Sequence, residues 1–218
     1  MRRAPDFPAL RAQMVERQLR RRGIGDERVL AAMAAVPRER FLSERYRHRA
    51  YSDSAVPIGE AQTISQPWIV AAICQALELE GTELVLEIGT GSGYSTCVLA
   101  RLASRVVSVE RHDSLARSAR QELDSLGVTN AEVMVGDGSR GLPERASFEA
   151  IAVHATAPAP PETLLGQLTD GGRLVVPIAL DSFDMLCVFR REGDELRREE
   201  IGPCRFVPLL GEEGFATD

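Results

Sequence analysis

The sequence predicts an α/β fold: a doubly wound, mostly parallel sheet with an antiparallel C-terminal edge hairpin and a helical N-terminal addition. Three observations carry that expectation. From residue 83 onward, short apolar runs alternate with amphipathic ones, the texture of repeated β-α-β units with helices on both sheet faces. One of these runs enters a glycine cluster that opens a helix, LEIGTGSGY at 86–94. The last two runs, DMLCVFR and ELRREEI, flank EGDE as a β-hairpin does, which places one antiparallel strand at the sheet edge.

Two helices come first. Pro8 opens one that Gly23 closes, and Asp26 caps DERVLAAMAAV, which stops before Pro37. Residues 38–61 are rich in Ser, Asp, Pro and Gly and read as loop. A third helix, SQPWIVAAICQALEL, runs to Gly81. LVLEI (84–88), RVVSV (105–109), AEVMV (131–135), FEAIAV (148–153) and RLVVPI (173–178) are the expected parallel strands. SGYSTCVLARLA, DSLARSARQELDSLG and PPETLLGQL are the helices between them. No repeat or low-complexity linker interrupts the chain. The expectation is one domain over 1–218, with 1–80 as a helical addition and 81–218 as the α/β core.

Composition narrows the chemistry. At 218 residues, 44% hydrophobic and 5% aromatic, the chain has the make-up of a globular protein. All 26 basic residues are arginine. Without lysine there is neither a Schiff-base mechanism nor a phosphate loop ending in Gly-Lys-Ser/Thr. Residues 1–50 carry 13 arginines against six acids, and the remainder 13 against 26. A basic segment on an acidic body attracts anions, but solvated helix faces explain it more simply, with Arg20, Arg21 and Arg22 complementing a helix C-terminus. No aromatic-plus-basic module supports a nucleic-acid partner. Cys74, Cys97, Cys187 and Cys204 form no Cys-x-x-Cys pair and read as reduced thiols of a cytoplasmic protein. Arg2-Arg3 is followed by no apolar stretch, which speaks against an export signal, and the longest apolar run, eight residues at 29–36, is too short for a bilayer. His48, His112 and His154 share no ligand spacing, so no metal is expected.

The chemistry concentrates at strand ends. Gly89-Thr90-Gly91-Ser92-Gly93 joins a strand to a helix, where backbone comes close to a ligand and helix N–H groups are free. The pattern is G-x-G-x-G, with Tyr94 where a dinucleotide fingerprint has its third glycine. RVVSVE ends on Glu110, placed to accept from ribose hydroxyls, and VMVGDG ends on Asp137, placed to meet an adenine amino group. Each acid alone reads as a turn residue. Parallel strands bring all three ends to one edge, and the joint pattern points to a nucleotide. Ser65, in QTISQPW, has two readings: Ser-Gln-Pro is a good helix N-cap, and it also holds a hydroxyl over a pocket.

LEIGTGSG, VSVE and VGDG resemble the nucleotide-binding motifs of Rossmann-like S-adenosylmethionine-dependent methyltransferases. RGIGDERVLAAMAAVPRERF, PIGEAQTISQP and GGRLVVPI are similar to one branch of these, the protein-L-isoaspartate O-methyltransferases, over residues 14–209. The resemblance implies S-adenosyl-L-methionine as cofactor. Gly89, Gly91 and Gly93 would approach its methionine part, Glu110 its ribose, and Asp137 with Gly138 its adenine; Glu87 and Thr90 would join that set. It further implies Ser65 as the active-site serine, Thr63 and Ile64 beside the substrate, and repair of isoaspartyl peptides and proteins through a methyl ester and a succinimide. An isoaspartyl α-carboxylate is already an ionised nucleophile at neutral pH, so a missing general base does not count against catalysis.

Four positions depart from the branch: Glu60 in place of a small residue, His154, Ala179 and Asp184. An aspartate near an anionic substrate would repel it. They leave open a related enzyme that esterifies ordinary aspartate in one dedicated peptide during maturation. From other classes stand a nicotinamide-dependent oxidoreductase, against which Tyr94 argues, and a cofactor-binding module without turnover.

Overall fold

Asp6 accepts the Ala9 amide at 3.1 Å and starts α1 (Phe7–Met14), with Pro8 in the first turn where its missing N–H costs nothing. The computed structural model describes residues 5–145 and 147–216; the Arg2-Arg3 pair lies outside them. The helix expected up to Gly23 continues past Met14 as a π-helical turn (Val15–Leu19) and a 3₁₀ turn (Arg20–Arg22). Gly23 ends it at φ 93°, a left-handed cap that suits glycine. Asp26 caps α2 (Glu27–Ala35) by accepting the Arg28 and Val29 amides.

The segment read as loop holds an unexpected hairpin. After two 3₁₀ turns, Arg38–Phe41 and Glu44–Arg49, β1 (Val56–Gly59) pairs antiparallel with β2 (Gln62–Ile64). Its tip residues Glu60 and Ala61 have φ of 50° and 55°. Such tight turns need positive φ at both central positions and favour Gly or Asn, so Glu-Ala gives no turn signal. Next comes α3 (Pro67–Ala76), with Gln66 rather than Ser65 in the N-cap position.

The main sheet has the order β5-β4-β3-β6-β7-β8-β9. Its strands are β3 (Leu84–Ile88), β4 (Arg105–Glu110), β5 (Ala131–Val135), β6 (Phe148–Val153), β7 (Leu168–Ala179), β8 (Asp184–Glu192) and β9 (Glu195–Cys204). β5 to β7 run parallel, while β8 pairs antiparallel with both β7 and β9. The reversed strand therefore lies one in from the edge, and β9 forms the edge. The connecting helices are α4 (Tyr94–Leu99), α5 (Asp113–Ser125) and α6 (Glu162–Gly166).

Side-chain alternation along the strands divides the core. Val85, Val106, Ala150, Val175 and Val188 face the N-terminal helices, α3, α4 and α5. Leu86, Val107, Ile151, Leu174 and Val176 face the other way, with α6. Tyr94 ties the loop after β3 to the first layer. Its ring is 1% exposed, meets Phe41 edge-on at 5.6 Å, and carries the Arg38 guanidinium 4.7 Å above it; its hydroxyl reaches Met33 Sδ at 3.5 Å. β3 has β4 on one side and β6 on the other, so strand order reverses there and a crevice opens at the C-terminal strand ends.

Candidate active site

The crevice beside β3 is a pocket whose walls come from four strand ends and two returning segments. Ile88 ends β3 and Gly89, Thr90 and Gly91 follow it, Glu110 ends β4, Gly138 follows β5, and His154 follows β6. Gly89 and Gly91 have φ of 90° and 54° and turn their backbone along the pocket. Gly93 does not line it. A Cβ there would lie 3.1 Å from the Ala119 Cβ, so this glycine serves the packing of α4 against α5.

Glu110 is 5% exposed, and both its oxygens are anchored: Oε2 accepts the Gly91 amide at 2.8 Å and Oε1 the His112 amide at 2.9 Å. Each oxygen keeps a lone pair directed elsewhere, enough for two hydroxyl donors. Asp137 is engaged differently. Its oxygens accept the Ser139 and Glu212 amides at 2.9 and 2.8 Å, clasping the C-terminal segment, and it stays off the pocket wall while Gly138 lines it. Burial pushes the Asp137 carboxyl up, but these amide donors and the Ser139 hydroxyl outweigh it and hold it below the ordinary range.

Glu87 lies fully buried beneath the glycine loop rather than on the wall. Its Oε2 accepts the Thr96 and Ser108 hydroxyls at 2.5 and 2.6 Å, and Ser108 in turn meets Thr90, which does line the pocket. The His154 imidazole sits 3.2 Å from the free Glu87 oxygen without hydrogen-bond alignment.

The second wall comes from the β1–β2 hairpin and the residues after it. Thr63, Ile64 and Ser65 line the pocket. The cap reading of Ser65 is overturned: α3 starts two residues later, and no hydrogen bond to its hydroxyl exists among the described residues. Fully buried Arg38 fixes this stretch, donating to the Ser65 carbonyl and the Ala50 carbonyl at 2.7 Å each. Burial lowers its pKa from the ordinary arginine value. The strained hairpin tip is held by Glu60, which accepts the Ser114 hydroxyl at 2.6 Å.

Sequence reasoning missed the last wall. Residues 207–210 return beside residue 156, with Thr156 donating to the Val207 carbonyl at 2.8 Å and Leu209 to the Thr156 carbonyl at 2.7 Å, and they cover the pocket. The apolar run FVPLL after the hairpin was the available signal. Asp184 stabilises this return: its Oδ2 accepts the Thr156 hydroxyl and the Phe206 amide, so the carboxylate is occupied behind the wall. Asp184 lines neither the pocket nor the groove beside it, so its carboxylate does not face a bound substrate directly.

A groove adjoins the pocket and shares Thr63, Ser65, His154 and Val207 with it. Cys204 lines the groove, but burial pushes its thiol up to about 12, which leaves it a poor nucleophile. The site therefore offers hydrogen-bond donors and a shielded cavity rather than a nucleophile–base pair.

A glycine loop after β3, an acid at the end of β4 and a crevice at the strand-order reversal define a nucleotide-binding α/β protein of the Rossmann-like methyltransferase class. Residues 10–214 match the model of the protein-L-isoaspartate(D-aspartate) O-methyltransferase family. The chain is 52% identical to protein-L-isoaspartate O-methyltransferase 2 of Pelobacter propionicus, over 95% of this chain and 96% of that one. It is 47% identical to the protein-L-isoaspartate O-methyltransferase of Koribacter versatilis, over 96% and 95%. A solved protein-L-isoaspartate O-methyltransferase superposes with a TM-score of 0.83 at 31% identity, covering 94% of this chain and 67% of that one. One from Plasmodium falciparum, solved with S-adenosyl-L-homocysteine, shares the fold at a TM-score of 0.80 and 24% identity, covering 95% and 99%. The chain belongs to the protein-L-isoaspartate(D-aspartate) O-methyltransferase family and is an S-adenosylmethionine-dependent enzyme.

Proposed function

We propose that the chain methylates the α-carboxylate of L-isoaspartyl residues in damaged peptides and proteins, starting their repair through a methyl ester and a succinimide. The observation that carries this reading is the position of Ser65, whose hydroxyl is free of the helix and lies on the wall common to pocket and groove.

The pocket suits S-adenosylmethionine. Ile88 and Val109 offer apolar surface to a purine, and Glu110 keeps lone pairs for two ribose hydroxyls. Gly138 is required beside the purine slot, because a Cβ there would lie 2.6 Å from Ile88 Cγ2. When bound, this cofactor supplies an electrophilic sulfonium methyl group. The chain's own task is alignment. Ser65 donates its hydroxyl to the acceptor carboxylate, and Thr63 and Ile64 shape the entry. Gly89 and Gly91 let backbone approach the methionine part, with Thr90 held from below through Ser108 and Glu87. Residues 207–210 keep water out. An isoaspartyl α-carboxyl group ionises near pH 3.5, roughly, so no residue has to remove a proton.

In this reading residues 1–80 serve the substrate side and 81–218 the cofactor side. A cytoplasmic setting fits four free cysteines, three of them buried, and no nucleic-acid partner is proposed. Among the described residues no helix is long and apolar enough to cross a membrane.

The test supplies methyl-labelled S-adenosylmethionine with matched isoaspartyl and aspartyl peptides. Label is expected on the isoaspartyl peptide, and label mainly on the aspartyl peptide overturns the proposal in favour of peptide maturation. Ser65→Ala is expected to lower kcat while leaving cofactor affinity unchanged by calorimetry.

A further inference from the structure

The groove beside Ser65 has a charge balance opposite to that of the whole chain. The chain carries a net charge of −6, yet the described residues lining the groove include Arg22, Arg205 and His154 and no aspartate or glutamate. The two arginines differ in what they have to spare. Arg22 is paired with Asp53 at 2.7 Å and stacks 5.2 Å from the Trp68 ring centroid, and the Trp68 indole donates to the Arg22 carbonyl at 3.2 Å. That assembly forms a fixed, nearly neutral aromatic wall. Arg205 also lines the groove, is exposed, and has neither a carboxylate nor a hydrogen-bond partner among the described residues.

The backbone that carries Arg205 is held in place. The Phe206 amide donates to Asp184 Oδ2 at 2.9 Å, and the Cys204 thiol reaches the Asp184 carbonyl at 3.4 Å. Asp184 directs Oδ2 at Phe206 and Thr156, does not line the groove, and makes no ion pair with Arg205. The groove is also where a peptide must lie if its reacting carboxylate is at Ser65, since the two depressions meet at Thr63, Ser65, His154 and Val207. A side chain flanking the reacting residue then comes within reach of Arg205.

We propose that Arg205 makes this enzyme selective for isoaspartyl peptides carrying an acidic residue beside the damaged position. This rests on the carboxyl-methyltransferase reading above and adds the substrate class. A guanidinium keeps its charge at any working pH and holds a carboxylate with paired donors. The body of the protein repels anionic peptides at long range, so the preference is set within a Debye length of the groove.

The experiment measures kcat/KM for isoaspartyl peptides with Glu, Ala or Lys at each flanking position in turn, with wild type, Arg205→Ala and Arg205→Glu. At low salt, wild type is expected to favour Glu over Ala by about threefold and Glu over Lys by roughly tenfold at one flank, the scale of exposed ion pairs. Both ratios should shrink in high salt. Arg205→Ala should flatten the series, and Arg205→Glu should reverse it, with cofactor affinity by calorimetry equal to wild type in both. A wild type indifferent to flanking charge, or a series unchanged in Arg205→Glu, overturns this proposal alone. Absence of label on every isoaspartyl peptide overturns the carboxyl-methyltransferase reading and this one with it.

Discussion

The pocket and the groove meet at Ser65 but are assembled in opposite ways. The pocket takes most of its wall from consecutive strand ends, at residues 88–91, 109–112, 138 and 154–155. The groove draws on Arg22, residues 63–69 and residues 203–207, which only tertiary folding brings together. Charge divides them too: a buried carboxylate, Glu110, marks the first, and unpaired Arg205 the second. The part that holds a common cofactor is thus local in sequence and bound to the sheet topology. The part that chooses a substrate is long-range, which leaves each of its segments free to change without disturbing the sheet.

Substitutions on either side should act on that side alone. The largest effect is expected from Gly91→Val. A β-branched residue at φ 54°, facing Ile58 at 3.4 Å, costs about 3 kcal/mol of strain in backbone that lines the pocket. Cofactor binding by calorimetry should vanish while far-UV circular dichroism stays native, and retained binding would put the cofactor elsewhere. Arg38→Met comes next. It leaves the Ser65 and Ala50 carbonyls without their donor and should lower stability by about 2–4 kcal/mol in denaturant titration. Where the variant is still folded, kcat/KM for peptide should drop more than cofactor affinity does; equal losses would mean that Arg38 acts on the fold alone.

Glu110→Ala is expected to weaken the cofactor by about 1–3 kcal/mol with the peptide KM unchanged. A normal cofactor affinity would remove Glu110 from the site. The smallest effect concerns acid. The Asp137 carboxyl is held below its unfolded value, so its contribution is fully present above about pH 4 and is lost as pH falls through the folded value. Hydrogen exchange at the Glu212 amide should rise below that pH before the sheet amides do, and Asp137→Asn should remove the pH dependence.

What the sequence disclosed follows the same division. The strand ends were legible because a buried strand, a glycine turn and a helix start are all written within about ten residues. The roles within them were less legible. Gly93 and Gly91 look alike in sequence, yet one packs against Ala119 while the other lines the pocket with its backbone. Glu87 and Glu110 lie on the same sheet face, but Glu87, level with Ser108, stops one residue short of the end of β3 and is bonded beneath the loop, while Glu110 reaches the end of β4 and the Gly91 amide. The β1–β2 hairpin was hidden because Glu60 and Ala61 adopt a turn that glycine or asparagine would have announced. Arg38 could not be read at all. Nothing local distinguishes it from twelve other arginines in the first fifty residues, and its burial comes from Tyr94 and Ser65, far along the chain.

Tyr94, standing where a dinucleotide enzyme has its third glycine, makes the two halves of the chain inseparable. Its ring is covered by Phe41 and Arg38, and Val85, Val106 and Val175 on the same sheet face share one core with Met14, Leu30 and Met33. A fragment of residues 81–218 would present to water the part of that face now covered by α1, α2 and α3, and set the start of α4 adrift from its anchor. Many nucleotide-binding sheets tolerate exchange of the modules attached to them. This one has made its attached helices half of its own interior, so recombination with another methyltransferase core would have to carry Phe41, Arg38 and Met33 along with the glycine loop.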